Sequence, residues 1–174
     1  MKFKLATAVA VSLLAAGAQA AIVDDLGTLT ATIASSGNLS FADHINDSFT
    51  FNLTATSWVE TNVTLLKVSV NLLPASYTIY STGADHAVGG GDDWVAIPGA
   101  YNFGKTSVAH TDTLAAGSYY IKTFGFTESG NDGLIGYSLG ARAVAVPVPE
   151  PETYALLAAG LGVIGFMASR RRRG

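Results

Sequence analysis

Ser48-Phe49-Thr50-Phe51-Asn52-Leu53-Thr54-Ala55 alternates polar and apolar side chains with a period of two. Phe49, Phe51, Leu53 and Ala55 fall on one side of an extended chain, while Ser48, Thr50, Asn52 and Thr54 fall on the other, the pattern of a strand with one buried face. A second stretch repeats the pattern: in residues 118–126, Tyr120, Lys122, Phe124 and Phe126 oppose Tyr119, Ile121, Thr123 and Gly125. Between Ala21 and Val146 no apolar face is sustained at helical spacing over ten residues.

Working outward from residues 48–55, Thr28 to Ile33 alternates hydroxyl and apolar residues and reads as a strand, with Gly37-Asn38 supplying the turn after it. Asn62 to Val70 contains Val63, Leu65, Leu66, Val68 and Val70, with a phase shift at Leu65-Leu66 that marks a bulge or a local change of facing. Pro74 cannot donate to a central ladder, so a fresh short strand is expected over Ser76 to Tyr80. Residues 83–93 read GADHAVGGGDD, a solvated loop, and Trp94 to Ile97 returns to the sheet. Thr106 to Leu114 is a weak strand, residues 128–133 are a loop, and the last strand runs from Leu134 to about Val146. The expected fold is all-β: a small antiparallel β-sandwich or Greek-key barrel.

The two ends follow different rules. Met1-Lys2-Phe3-Lys4, an apolar run from Leu5 to Ala16, and small residues at Ala18, Ala20 and Ala21 read as a signal peptide cut after Ala20, which implies secretion machinery and signal peptidase as partners. Pro147, Pro149 and Pro151 end the body near Val146 and form an extended spacer. Tyr154 to Ser169 is wholly apolar or small, and Arg170, Arg171, Arg172 and Arg173 follow. Sixteen helical residues span about 24 Å against a hydrocarbon core of about 30 Å, so a transmembrane helix over 154–169 is expected to be a short one. The expected organisation is therefore a signal peptide over 1–20, a β body over 21–146, a spacer over 147–153, the helix over 154–169 and a basic cytoplasmic tail over 170–174.

The body of 126 residues carries four basic residues, Lys67, Lys105, Lys122 and Arg142, against eleven acidic ones, which gives a net charge of −7. Such a balance provides no footprint for a phosphate backbone and argues against nucleic-acid binding. Cysteine is absent, which excludes disulfides and thiol chemistry. His44, His86 and His110 are not paired at metal-ligand spacing, and no Gly-x-Ser-x-Gly elbow occurs. No resident cofactor is expected. Asp85 with Asp92 and Asp93 could supply hard oxygen ligands for Ca²⁺, against the plainer reading of a solubilising loop face. Trp58 and Trp94, each beside polar sequence, are the candidate glycan contacts, since a ring offers its apolar face to a sugar.

The order Pro149-Glu150-Pro151, then Glu152-Thr153-Tyr154, then Ala155 to Ala168, then Arg170 to Arg173 closely resembles the PEP-CTERM sorting signal of exosortase-containing Gram-negative bacteria. The resemblance covers about 27 residues. It implies export, transient residence in the inner membrane with the body on the periplasmic side, cleavage near the motif by an exosortase, and delivery to the cell surface or medium. It also implies an association with extracellular polysaccharide and biofilm, with the catalysis belonging to the partner. Phe41-Ala42-Asp43-His44-Ile45 resembles the motif of a Phe-x-Asp-x-Phe subgroup, with Ile45 in place of its last phenylalanine. The expected function is a non-catalytic surface or matrix protein that binds extracellular polysaccharide; a self-assembling structural subunit and a polysaccharide hydrolase are the alternatives.

Overall fold

The alternating stretches become the central strands of a two-sheet protein. The computed structural model describes residues 23–66, 72–106, 108–127, 133–146 and 151–171. The first sheet contains β1 (Val23–Thr28), β3 (His44–Ile45), β4 (Ser48–Leu53), β6 (Leu72–Ser81), β7 (Trp94–Val95), β8 (Tyr101–Asn102) and β10 (Gly117–Thr127). Its main order is β1-β4-β10-β6-β7, with β3 paired to β10 and β8 to β6. The second sheet has the order β2-β11-β5-β9, from β2 (Ala34–Ala42), β5 (Ser57–Leu65), β9 (Ala109–Leu114) and β11 (Gly133–Ala145). Neither sheet closes on itself, so the two-layer form of the expectation holds and the barrel does not.

The period-two faces meet in one core. Phe49, Phe51 and Leu53 from β4 and Tyr119 and Ile121 from β10 pack with Val59 and Val63 from β5 and Tyr137 and Leu139 from β11. Phe51 is fully buried and stacks on Tyr119, with ring centres 5.5 Å apart. The opposite faces of these strands carry Thr50, Asn52, Lys122, Phe124 and Phe126, none of which is buried.

Buried polar groups tie the sheets together. Tyr77 on β6 reaches across to β5, where its hydroxyl pairs with Thr61 Oγ1 at 3.0 Å and donates to the Thr61 carbonyl at 3.3 Å. At the edge, Tyr101 on β8 donates to Asp112 Oδ1 on β9 at 2.8 Å and stacks on His110, with centres 3.9 Å apart. In the middle, Asp47 is 2% exposed, and its Oδ2 accepts Asn38 Nδ2 at 2.9 Å and the Tyr137 hydroxyl. The Asp47 carbonyl accepts the Thr123 amide at 2.9 Å, joining β10 to the same node.

Burial pushes the phenols of Tyr77 and Tyr101 up from 10.0 to about 12, with Asp112 adding to the shift at Tyr101. Below pH 10 both rings are neutral in folded and unfolded chains alike. From pH 10 to about 12 the unfolded chain loses these protons first, so stability should fall across that window. Urea unfolding between pH 8 and 12 tests this; Tyr77→Phe should flatten the decline, and an unchanged slope would refute the assignment.

Four expectations need correction. Gly37 and Asn38 lie inside β2 rather than in a turn. Gly37 is there because its backbone approaches the Tyr137 carbonyl so closely that a Cβ would collide with it, and Asn38 because its amide serves Asp47. Thr28 to Ile33 is not a strand: β1 ends at Thr28, and the chain then crosses between sheets with buried Leu29 as its anchor. Pro74 lies within β6 rather than before it, opposite a register shift between Gly125 and Thr127 that relieves the ladder where proline has no N–H. The sheets are not wholly antiparallel either, because β1 pairs with β4 in parallel, Val23 opposite Ser48.

Candidate functional site

The C-terminal segment forms one helix, α1 (Pro151–Arg171), longer than the expected 154–169. Proline suits a first helical position, since its missing N–H would have no partner there, and it accounts for the earlier start. Arg170 and Arg171 occupy the last turn, where cations complement the helix dipole. Leu156, Leu157, Leu161, Val163, Ile164 and Met167 are all more than half exposed. Among the described residues no helix is long and apolar enough to cross a membrane. The helix is about 31 Å long at 1.5 Å per residue, but its ends are spent on Glu152 and the arginines, and the apolar part keeps its sixteen residues. Ala18, Ala20, Ala21, Pro149, Glu150, Arg172 and Arg173 lie outside the described residues.

The acidic loop does bring its three aspartates together. Asp85, Asp92 and Asp93 each place a ligand atom within 4.8 Å of the others. The fold-back depends on Gly83, whose φ of 61° is readily reached only without a Cβ, and a Cβ there would strike the Asp92 carboxylate. Asp92 Oδ2 accepts the Ala84 amide at 2.5 Å and the Asp85 amide at 3.4 Å, and these bonds, Ala84 first, hold its carboxyl below the usual range. Asp93 Oδ2 accepts the Gly89 amide at 2.7 Å and the Tyr120 hydroxyl at 2.8 Å. The loop thereby covers Tyr120, which stacks on Tyr80 at 5.1 Å and is 4% exposed despite its outward-facing position on β10. A surface cluster of this kind can chelate a cation, and its carboxylates already act as caps for the loop's own amides.

The tryptophans belong to different sheets. Trp58, 42% exposed on β5, lies opposite Val144 and Thr113, and Trp94, 56% exposed on β7, lies at the edge of the first sheet opposite Ser81. They therefore form no shared platform. The outward row of β10 has a more concentrated group that the sequence did not single out: Phe124 and Phe126 are 40% and 46% exposed, in edge contact at 4.8 Å. The alternation in residues 118–126 placed them on one side, but only the pairing of β10 with β4 and β6 shows that this side faces solvent. His44 borders Phe126 at 6.3 Å and is hydrogen-bonded to Asp43, whose carboxyl is held low chiefly by that bond.

None of the curated proteins matches the chain. Among solved structures it is similar to the pre-peptidase C-terminal domain of a collagenase from Bacillus anthracis, at 13% identity and a TM-score of 0.40, covering 72% of this chain and 100% of that one. It is also similar to PliG, a periplasmic lysozyme inhibitor of g-type lysozyme, from Aeromonas hydrophila, at 14% identity, TM-score 0.39, and 72% and 100% coverage. The Salmonella Typhimurium PliG gives 13%, 0.38, and 70% and 99% coverage. At these scores the likenesses carry no argument about ligand or activity. The family comparison is of another kind, because it falls on the segment whose residue order was already distinctive: residues 147–173 match the PEP-CTERM protein-sorting motif. The chain therefore carries a PEP-CTERM sorting motif near its C-terminus, consistent with an exosortase substrate.

Proposed function

We propose that the chain is an exported, non-catalytic surface protein, processed by an exosortase at its sorting motif, whose two-sheet body binds extracellular polysaccharide. The observation that carries the reading is the match over 147–173, with its apolar helix and basic last turn. Signal peptidase removes residues 1–20 after the secretion machinery has engaged them. The helix then holds the chain temporarily at the inner membrane, body on the periplasmic side, before release to the cell surface or medium. The limited apolar length of α1 suits a temporary hold better than a permanent anchor.

A non-catalytic body agrees with how its acids are employed. Asp47 is buried in a core network, Glu60 pairs with Arg142 at 2.6 Å, Asp112 accepts Tyr101, and Asp92 and Asp93 cap loop amides. Trp58 and Trp94 remain the proposed glycan contacts, each acting from its own sheet. The test is the intact mass of the protein from surface and medium fractions. A species beginning at Ala21 and ending near Pro149-Glu150-Pro151 is expected; a surface species that keeps Arg170 to Arg173 would overturn the processing scheme.

A further inference from the structure

We infer that the solvent face of β10 is a binding site for an acidic polysaccharide, with Phe124 and Phe126 as the stacking surface and Lys122 as the carboxylate-binding group. The inference rests on the polysaccharide reading above and adds to it a further place, apart from Trp58 and Trp94, and a ligand chemistry.

Alternation along β10 sets Lys122, Phe124 and Phe126 in a row, each about 7 Å from the next at the usual strand rise. Both rings project from a flat sheet face with 40% and 46% of their surface open. Their neighbours across the ladder are small and polar: Ser76 stands opposite Phe124 with Asn102 beyond it, and Ser48 and Thr78 flank Lys122. His44 and Asp43, hydrogen-bonded to each other and about half exposed, border Phe126. A pyranose ring presents C–H groups on its faces and hydroxyls around its rim. Open aromatic rings set among hydroxyls, an amide and an imidazole match both features.

Area argues against a protein partner. A stable interface buries about 800 Å² per partner. Two rings of about 150–250 Å² each, less than half open, offer on the order of 200 Å². That is enough for one or two sugar units and too little to hold a second folded chain.

Charge selects among glycans. Among the described residues the ion pairs are Arg142 with Glu60 and His44 with Asp43, and the Lys122 ammonium has no carboxylate partner among them. An ammonium beside a stacking surface complements a sugar that bears a carboxylate. Single-stranded nucleic acid also stacks on aromatic rings and carries negative charge, but it brings one charge per nucleotide toward a body of net charge −7. A carboxylated glycan places its charge only where a uronic or similar unit occurs, and the remaining charges of the body are screened beyond about 8 Å at physiological salt.

The test uses the full chain in mild non-ionic detergent, with three immobilised probes: glucuronoxylan, whose uronic units are sparse along the polymer, the same polymer with its carboxylates reduced to alcohols, and oligothymidylate. Retention on glucuronoxylan is expected, weakened on the reduced polymer and absent on oligothymidylate. Phe124→Ser and Phe126→Ser, both surface changes, should each lower affinity on the order of tenfold. Lys122→Gln should remove the difference between the two polymers, and Lys122→Arg should preserve it. Equal retention on both polymers, preference for oligothymidylate, or indifference to the phenylalanine variants would overturn the inference. Retention on the cell's own matrix polysaccharide that survives both phenylalanine variants would overturn this site and leave the reading of the previous subsection standing. No retention on that polysaccharide at all would end both.

Discussion

Asp47→Ala is expected to destabilise the body by about 3 kcal/mol, because it leaves two buried donors without their acceptor at once. Asn38 on β2 and Tyr137 on β11 both direct their polar hydrogens at Asp47 Oδ2, in a place that is 2% exposed at Asp47 and 1% at Tyr137. Tyr137 can turn to Thr123 Oγ1, 3.1 Å away, which accepts while its own hydrogen is directed at the Asp47 carbonyl, so Asn38 carries the larger share of the loss. Burial and the neighbouring Asp47 carboxyl together push the Tyr137 phenol far above its usual range, so the ring stays a donor. Urea unfolding reads the effect directly. A loss below about 1 kcal/mol would mean that the neighbours repair the gap, and the node would then be ornamental to stability. Asn38→Ala is a useful companion, since it removes one donor and leaves the acceptor with Tyr137.

A cavity in the core should cost at least as much. Phe51→Ala is expected to remove about 3–5 kcal/mol, since Phe51 is fully buried against Tyr119 and neighbouring strands cannot close in without breaking register. A domain of this size has only about 5–15 kcal/mol in total, and without cysteine it has no cross-link to limit the unfolded chain. Phe51→Leu, which refills most of the volume, should recover the greater part in the same urea assay. If alanine and leucine behaved alike, the loss would have to come from something other than the cavity.

Much of this was readable in the chain because it is local. The alternation in residues 48–55 and 118–126 is a property of successive side chains: it predicted the buried face of β4 and, for β10, which residues share a side, but not which side is buried. The order of the C-terminal motif, helix and arginines is also local. What escaped is information held by a distant partner. Gly37-Asn38 has the composition of a turn, and only the Tyr137 carbonyl and Asp47 turn it into the middle of a strand. The parallel pairing of β1 with β4 has no signature in either strand alone. Pro74 fits inside β6 because β10 shifts register there, which the sequence around Pro74 cannot announce. The three aspartates of the acidic loop were grouped correctly because they are close in the chain, whereas the Phe124–Phe126 face required knowing which side of β10 the second sheet covers.

The position of β11 also decides how the body responds to force. It lies between β2 and β5, in register with β2 from Gly133 to Ala141 and with β5 from Tyr137 to Ala145. The chain leaves this interior strand at Ala145 and proceeds to the sorting segment. A pull along the strand from that side loads both ladders in shear, so their hydrogen bonds share the tension and must give way together. An edge strand pulled from one end would instead peel one bond at a time. Under the proposed processing, a tether at the C-terminal side would therefore pull on an interior strand held by two ladders rather than on an edge strand held by one.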